Sequence, residues 1–588
     1  MSSGLIEIPV VRSVSRRWTL PTWDAGLFIC AAIAWSAAIF ILVLLGLVIW
    51  MSFIPGLPGD PGLTLDNYAD VLFHNTVFIA LGNSLVVGIG TVVINILFAV
   101  PIAWLVERTD LPGKTLIITL IALSILIPGF LKAMGWILLL SPQIGMANVF
   151  LIDLFGLKTA PFNIYGLGGV ILIQGLTFTP AMFFLISGSM RSVDPTLEEA
   201  ASMAGASRLK TIVRITAPLL WPAILAALIY NFVSAMSLYE IAALLLGNRT
   251  PVLSTELFLN VRSAGGTINL AAAAVYGVFM MAIAIGALWV YARVTRRAER
   301  YAVVSGKSYR PSLVKLGQWR WLAFGFIAFF LLLDEFLPLL TLLWMSLLPS
   351  LEMPSVAAFQ HAGFGRYRDA WNLLGGWGVF GNTVALLVIS SVSVVIVSLA
   401  ISIITMRSRL PGRRALDAIA MLPHAVPGIA FAFALLVFGI LLNRFVGLPL
   451  YGSLSIIFLG VLVERIPFCT RITNAALLQL HKEIDEAAGI CGATRLQTIF
   501  RIIVPLIAPS LAYSATWIAL LALREVTIPL LLSGPENVVV SVRIWTLWAT
   551  GQYGAAAAAA IGVSMFVLVA ILMPSIRFGV RAWRGIGT

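Results

Sequence analysis

The sequence predicts an all-α polytopic membrane protein: about twelve transmembrane helices in two parallel six-helix repeats, related by a pseudo-twofold axis along the membrane normal. Three observations predict it: apolar composition, an internal repeat, and a one-sided distribution of Lys and Arg. Of 588 residues, 60% are hydrophobic and only 11% charged, whereas soluble domains run near a quarter charged. Apolar runs of 18 residues or more recur, and each is long enough to cross the roughly 30 Å hydrocarbon layer as a helix.

In the first half the apolar runs fall near 25–51, 78–106, 116–140, 167–189, 219–246 and 269–292. In the second they fall near 321–347, 380–405, 415–442, 453–475, 506–532 and 555–576. The first run is too long for a signal-peptide core and no small-residue cleavage site follows it, so it reads as a retained span. Cys30, Cys469 and Cys491 show neither pairing nor metal-ligand spacing.

Net charge is +13, which raises a nucleic-acid reading. The placement of the charges argues for topology instead. Of 38 Lys and Arg, 27 lie in the two tails and alternate loops, 7 in the opposite loops, and four in or at the ends of spans. The positive-inside rule then puts both termini in the cytoplasm. Anionic lipid head groups are the bland partner for such charge.

The repeat is explicit. Gly82-Asn83-Ser84 matches Gly381-Asn382-Thr383, the segments 108–114 and 407–413 correspond, and Pro128-Gly129 matches Pro427-Gly428, all 299 residues apart. From Gln174 onward the offset is 287, so the first half carries about twelve extra residues between its third and fourth spans. Alanine runs at 271–274 and 555–560 open both last spans, and small residues let helices approach closely in lipid. Six spans per half gives both halves one orientation. The expected organisation is a cytoplasmic tail 1–24, a first repeat 25–292, a cytoplasmic linker 293–320, a second repeat 321–577 and a cytoplasmic tail 578–588.

One repeated segment is polar. EEAASMAGASRLKTIVRITAPLLWP at 198–222 and DEAAGICGATRLQTIFRIIVPLIAP at 485–509 share 14 of 25 positions. In the first copy Asp194 can cap a helix starting at Pro195, with Glu198 and Glu199 at the positive end of its dipole. Gly205 supplies a left-handed stop. A second short helix then places Leu209, Ile212, Val213 and Thr216 on one face and ends at Pro218; Leu496, Ile499, Phe500 and Ile503 repeat that face before Pro505. A lipid-surface loop is the bland alternative, but two copies at equivalent places argue for two equivalent docking events.

Glu199-Ala200-Ala201, Gly205, Ile215 and Pro218, matched by Glu486-Ala487-Ala488, Gly492, Ile502 and Pro505, resemble the EAA loop of permease subunits in bacterial binding-protein-dependent ABC importers of type I. The resemblance covers nearly the whole chain. It implies that the two loops, at 195–218 and 482–505, are coupling helices seated on cytoplasmic ATPase subunits. Glu199, Ala200 and Gly205, and Glu486, Ala487 and Gly492, would make those contacts. Cys491 beside the second glycine departs from the pattern. The fused halves, and the stretch 523–530 (LREVTIPL), are most similar to ferric-iron permeases; polyamine, thiamine and phosphonate permeases share much of that pattern.

No catalytic constellation, cofactor-binding motif or metal cluster is legible. Pro112-Gly113-Lys114-Thr115 contains GKT, but the upstream glycine of a phosphate loop falls on Arg108 and no strand precedes it. The chain is therefore expected to be no enzyme, with ATP-Mg held on separate ATPase subunits. His74, His361, His424 and His481 are scattered, and a packing role is the simpler reading of each. Charges at membrane depth cost about 2.5–3.5 kcal/mol and usually face a cavity. Gln174, Glu240, Glu464, Arg465, Arg524 and Glu525 form the candidate translocation pathway, against a structural ion pair as the alternative. Asp334 and Glu335, in a first span, are expected at a span end.

The expected protein is thus an inner-membrane importer subunit carrying ferric iron, partnered by two ATPases, a periplasmic or lipid-anchored binding protein, and lipid, with no nucleic acid. An ion-coupled secondary transporter fits the parallel halves but leaves the duplicated loop unexplained. A membrane scaffold leaves the intramembrane charges unexplained.

Overall fold

In the computed structural model, residues 25–192, 200–201, 203–262, 268–298, 313–481 and 483–577 are described. The two tails, most of the linker, and Asp194, Pro195, Glu198 and Glu199 lie outside them. The described residues are helical apart from turns and one isolated bridge between Thr109 and Val314. Helices satisfy every backbone group internally, as lipid requires.

The first repeat comprises α1 (Ala25–Met51), α2 (Asn75–Arg108), α3 (Lys114–Leu126), α4 (Gly129–Leu140), α5 (Leu167–Ser192), α6 (Ala217–Ser237), α7 (Glu240–Leu246), α8 (Leu253–Arg262) and α9 (Leu270–Ala298). The second comprises α10 (Arg320–Leu331), α11 (Leu337–Leu347), α12 (Gly376–Arg407), α13 (Arg413–Met421), α14 (Gly428–Val446), α15 (Leu454–Leu478), α16 (Glu483–Ile490), α17 (Val504–Arg524), α18 (Thr527–Leu532), α19 (Val540–Ala549) and α20 (Tyr553–Arg577). Among the described residues, eight helices are long and apolar enough to cross a membrane, or ten if each bent pair counts once. Of the two remaining expected spans, α15 carries Glu464, Arg465 and Arg471, and α20 qualifies only as a shorter apolar helix, over Tyr553–Val569.

The third and fifth spans are not the continuous helices the hydropathy suggests. Proline lacks the N–H that would continue the ladder, and it pushes the preceding residue out of the helical region. The third span of the first repeat accordingly breaks ahead of Pro128, with α3 and α4 bent by 94°. Pro128 and Pro427 share one backbone conformation, φ/ψ of −56°/133° and −55°/132°. Exposed backbone at membrane depth is tolerated only inside protein, and both second segments are sheathed: Gly129 to Leu138 and Ile429 to Val437 are buried throughout. The fifth spans break at Leu238 and Glu525, again equivalent positions, both extended with ψ of 120° and 125°.

Repeated motifs do repeated work. Asn83 donates to the Pro251 carbonyl at 2.8 Å, and the Ser84 hydroxyl accepts from Leu253 N–H at 2.9 Å. Asn382 donates to Val538 O and Thr383 accepts from Val540 N–H at the equivalent places. The motif therefore staples each second span to the N-terminus of a short helix, α8 or α19, supplying one of its orphan donors with a partner. Arg108 donates to Met190 O at 3.0 Å and Arg407 to Leu477 O at 2.8 Å, closing the C-terminal ends of the fourth spans in both halves.

The first spans cross over. α1 lies against α12 and α14 of the second repeat, and α11 lies against α4 of the first. Glycines permit these approaches: a Cβ on Gly135 would sit 2.3 Å from the Pro338 carbonyl oxygen, and one on Gly26 would sit 2.8 Å from Leu496 N. This crossing corrects the placement of Asp334 and Glu335 at a span end. Asp334 is fully buried and bonded to Lys132 Nζ at 2.7 Å. An unpaired charge there would be costly, so the carboxylate is placed where a cation from the other half can reach it.

Candidate functional site: the repeated loops and a polar cluster on the axis

In the second copy of the repeated loop, α16 ends in a turn at Gly492, whose φ of +79° is left-handed; Gly205 has φ +78° in the first copy. Glycine reaches that region without the Cβ penalty. Thr494 then caps the next turn through a capping box with Gln497. The stop at each glycine is as expected, but the following segment is no separate helix. Residues Ile212–Thr216 and Ile499–Ile503 form wide π turns that run directly into α6 and α17. Pro218 and Pro505, which lack an N–H to continue the ladder, stand directly after the π turns.

Glu486, Ala487 and Gly492 are exposed, as are Ala200 and Gly205, while Ala488 is buried and holds α16 to the body. Met203 and Ile490 stand at equivalent positions and are 89% and 88% exposed. Arg407 ties the second loop to the body: besides Leu477 O it donates to Leu480 O at 2.7 Å and pairs with Asp485 of α16 at 3.2 Å.

A second constellation lies where the halves meet. Thr527 donates to Glu240 Oε2 at 2.9 Å, and these residues are 287 apart, the repeat offset itself. A residue touches its own symmetry equivalent only on the symmetry axis. Glu240 and Thr527 therefore mark the pseudo-twofold axis, each immediately beyond the break of its fifth span. Around them, Arg465 donates to Glu525 Oε2 at 2.8 Å and lies 3.4 Å from Glu464 Oε2. Arg524 donates to the Ile125 carbonyl at the break of the opposite third span. At the position equivalent to Ile125, His424 stacks on Tyr230 of α6, with centroids 4.6 Å apart and planes 8° apart.

Five of the six candidate pathway residues thus converge. Gln174 stands apart: it is buried between α2 and α5, and its carbonyl accepts from Thr91 at 3.4 Å. Its equivalent in the second repeat is Val461, so the offset carried no polar signal across. Tyr230 and Thr527 are the members that sequence reasoning missed. A tyrosine in an apolar run carries no cost to flag it, whereas Thr527 was detectable as the position equivalent to Glu240. Glu240 and Glu525 flank helix breaks, where freed backbone groups and side-chain charges need the same polar surroundings, whereas Glu464 lies within α15. Glu464, Arg465 and Glu525 keep 22%, 16% and 14% side-chain exposure, while Glu464 Oε2 and Arg465 Nε are themselves buried without a hydrogen-bond partner. Among the described residues, His, Cys, Asp and Glu nowhere gather in threes able to hold a metal ion.

Comparison with known proteins follows the same architecture. The sequence family described as "Binding-protein-dependent transport system inner membrane component" matches residues 75–300 and 395–581. The chain is 27% identical over 502 residues to a ferric transport system permease protein of Actinobacillus pleuropneumoniae, covering 83% of this chain and 68% of that one. It is 24% identical over 530 residues to an Fe(3+)-transport system permease protein of Haemophilus influenzae, covering 90% and 95%. A spermidine/putrescine transport system permease protein of Escherichia coli is 28% identical over 207 residues, 34% of this chain and 73% of its own. A chain of a bacterial ABC transporter that imports the acidic polysaccharide alginate is similar over 47% of this chain and 96% of its own, at 22% identity and a TM-score of 0.38.

Proposed function

The chain belongs to the inner membrane components of binding-protein-dependent transport systems, the permease subunits of ABC importers, and from that premise we propose that its cargo is ferric iron. The observation that carries this reading is similarity over nearly full length to an Fe(3+)-transport permease, 90% of this chain and 95% of that one. The axial cluster agrees in sign, with three carboxylates against two guanidinium groups.

In this reading both termini face the cytoplasm, the protein lies in the inner membrane, and the loops carrying Glu199, Ala200 and Gly205, and Glu486, Ala487 and Gly492, each seat one ATPase subunit. ATP-Mg belongs to those partners; this chain supplies no catalytic residue and no cofactor site of its own. A periplasmic or lipid-anchored binding protein delivers cargo to the outer loops. ATP binding draws the ATPases together and pulls the two loops inward. The halves rock about the axis marked by Glu240 and Thr527, and the Tyr230–His424 stack and the Arg524–Ile125 contact part. Cargo passes Glu240, Glu464, Arg465, Arg524 and Glu525, and hydrolysis resets the halves. ATP and loaded binding protein act together because both favour the same state.

Uptake of radiolabelled ferric iron and of radiolabelled spermidine, measured in a strain deleted for this gene and in the same strain complemented, tests the cargo. Iron uptake restored by complementation, with spermidine uptake unchanged, is the expected result. Restoration of spermidine uptake alone would remove iron from the account.

A further inference from the structure

Outside the axial cluster, one charged group is wholly buried between the halves and serves no step above. Lys132 of α4 is 1% exposed; its ammonium donates to Asp334 Oδ1 at 2.7 Å and to the Ser124 hydroxyl at 2.7 Å. Ser124 in turn donates to Asp334 Oδ2. Asp334 sits in the π turn Leu332–Phe336 joining α10 to α11, and such turns often mark functional positions in helices. Its neighbour Glu335 is 8% exposed and leaves Oε2 without a partner.

The matching interface on the other side is apolar. Lys132 corresponds to Phe431 and Ser124 to Pro423. The first spans align through Ser52 and Ser346, whose hydroxyls meet Tyr68 and Tyr367 in the same way. Asp334 then corresponds to Phe40, which packs edge-on against Phe438 with centroids 5.5 Å apart. One crossed-over span is therefore held by an ion pair and the other by aromatic packing.

A second, independent fastening joins the same two parts. Val314 N–H donates to Arg108 O at 2.9 Å, Asp110 N–H to Val314 O at 3.1 Å, and Leu316 N–H to Asp110 Oδ1 at 2.8 Å. The residues leading into the second repeat's first span are thus bound to the turn that opens the first repeat's third span. At the equivalent turn of the second repeat Arg413 donates to Ser408 O; the residues that would match the strap precede Ala25 and lie outside the described residues.

We infer that Lys132, Ser124 and Asp334 are positioning residues that fix α10 and α11 to α4, so that the second repeat's first span moves with the first repeat during transport. Within the spans the two crossings then differ: one is fastened by a buried ion pair, the other by aromatic packing, while an exposed pair, Arg444 with Asp60, joins the halves in the loop after α1. Breaking a buried pair by removing one partner is strongly destabilising, whereas replacing both by apolar groups is often neutral. The double variant K132M/D334L therefore separates positioning from folding, and the reversed pair K132D/D334K supplies a rescue.

The inference rests on the rocking of the halves proposed above, not on the cargo. The test uses the chain in nanodiscs with its ATPase, with Cys30, Cys469 and Cys491 replaced by serine and spin labels at Leu140→Cys and Leu343→Cys. The label distance is expected to stay the same between nucleotide-free and ATP-trapped states, and to stay so in K132D/D334K. In K132M/D334L, with an unfolding temperature like that of the parent, the distance is expected to broaden or shift on ATP trapping. A distance that changes in the parent itself, or a K132M/D334L variant indistinguishable from it, overturns the inference. Failure of the ATPase to associate would instead count against the importer assembly.

Discussion

Replacing Arg407 with Met should release the second repeated loop from the body of the protein. The guanidinium makes three contacts, to Leu477 O at 2.8 Å, Leu480 O at 2.7 Å and Asp485 Oδ2 at 3.2 Å, with its side chain 5% exposed. Hydrogen bonds from a charged donor contribute about 1.5–3 kcal/mol each when the acceptor is left buried. The two carbonyls end α15 at the membrane edge, where water can replace the lost donor, so the low end applies to them. Asp485 is 12% exposed and loses this cation. The sum is about 3–5 kcal/mol, nearly all local to residues 477–490, which raises the opening equilibrium of that segment by roughly 10²–10⁴-fold. Amide hydrogen exchange on the purified chain reads this directly. Protection of α16 should fall by about two to four decades while the middle of α12 stays unchanged. Arg407→Lys should fall between, because one ammonium cannot span both carbonyls and the carboxylate as a planar fork does. Protection of α16 within threefold of the parent in Arg407→Met would refute the reasoning.

The other predictions concern distinct contacts. Asn83→Ala and Asn382→Ala should each lower stability by about 1–2 kcal/mol, and by similar amounts, since the two side chains staple equivalent places; thermal unfolding in detergent checks both. Gly135→Ala puts a Cβ 2.3 Å from the Pro338 carbonyl, and the forced separation of α4 from α11 should cost about 1–3 kcal/mol, visible as a lower unfolding temperature. Glu240→Gln keeps an acceptor for Thr527 but removes a charge on the axis, so uptake should fall at least about tenfold with expression unchanged; parental uptake would remove Glu240 from the pathway. On the outer side, the Leu57 N–H and then Arg444 hold the Asp60 carboxyl below its ordinary 3.8. A depressed carboxylate stabilises above its unfolded value and loses that stabilisation as pH falls through the folded one. Arg444→Ala should therefore lower the unfolding temperature at pH 7, and the difference should shrink as pH falls through the range of the folded carboxyl, down to the share due to the Pro58 carbonyl.

The sequence makes the repeat legible down to individual contacts. Because Gly82-Asn83-Ser84 and Gly381-Asn382-Thr383 align, as do Arg108 and Arg407, their shared bonding follows from the offset once one copy is seen. Gly205 and Gly492 announce left-handed stops because no other residue adopts that backbone so cheaply. The crossing of the first spans is not legible, since an apolar helix packs as well against one half as the other and hydropathy carries no address. Asp334 shows this most plainly: its charge is visible, but Lys132 lies 202 positions away and only tertiary structure brings them together. The breaks at Pro128 and Pro427 are marked by the proline, whereas those at Leu238 and Glu525 have no proline at the break itself and come from the meeting of the halves. The Tyr230–His424 stack joins different repeats and leaves no local trace.

The account's central claim is that one polypeptide carries two equivalent docking loops for ATPase subunits. Native mass spectrometry of the chain purified with its ATPase counts them directly. Two ATPase subunits per chain are predicted, falling to one when Gly492→Trp disrupts a single loop. One subunit, or none, on the unaltered chain would contradict the account.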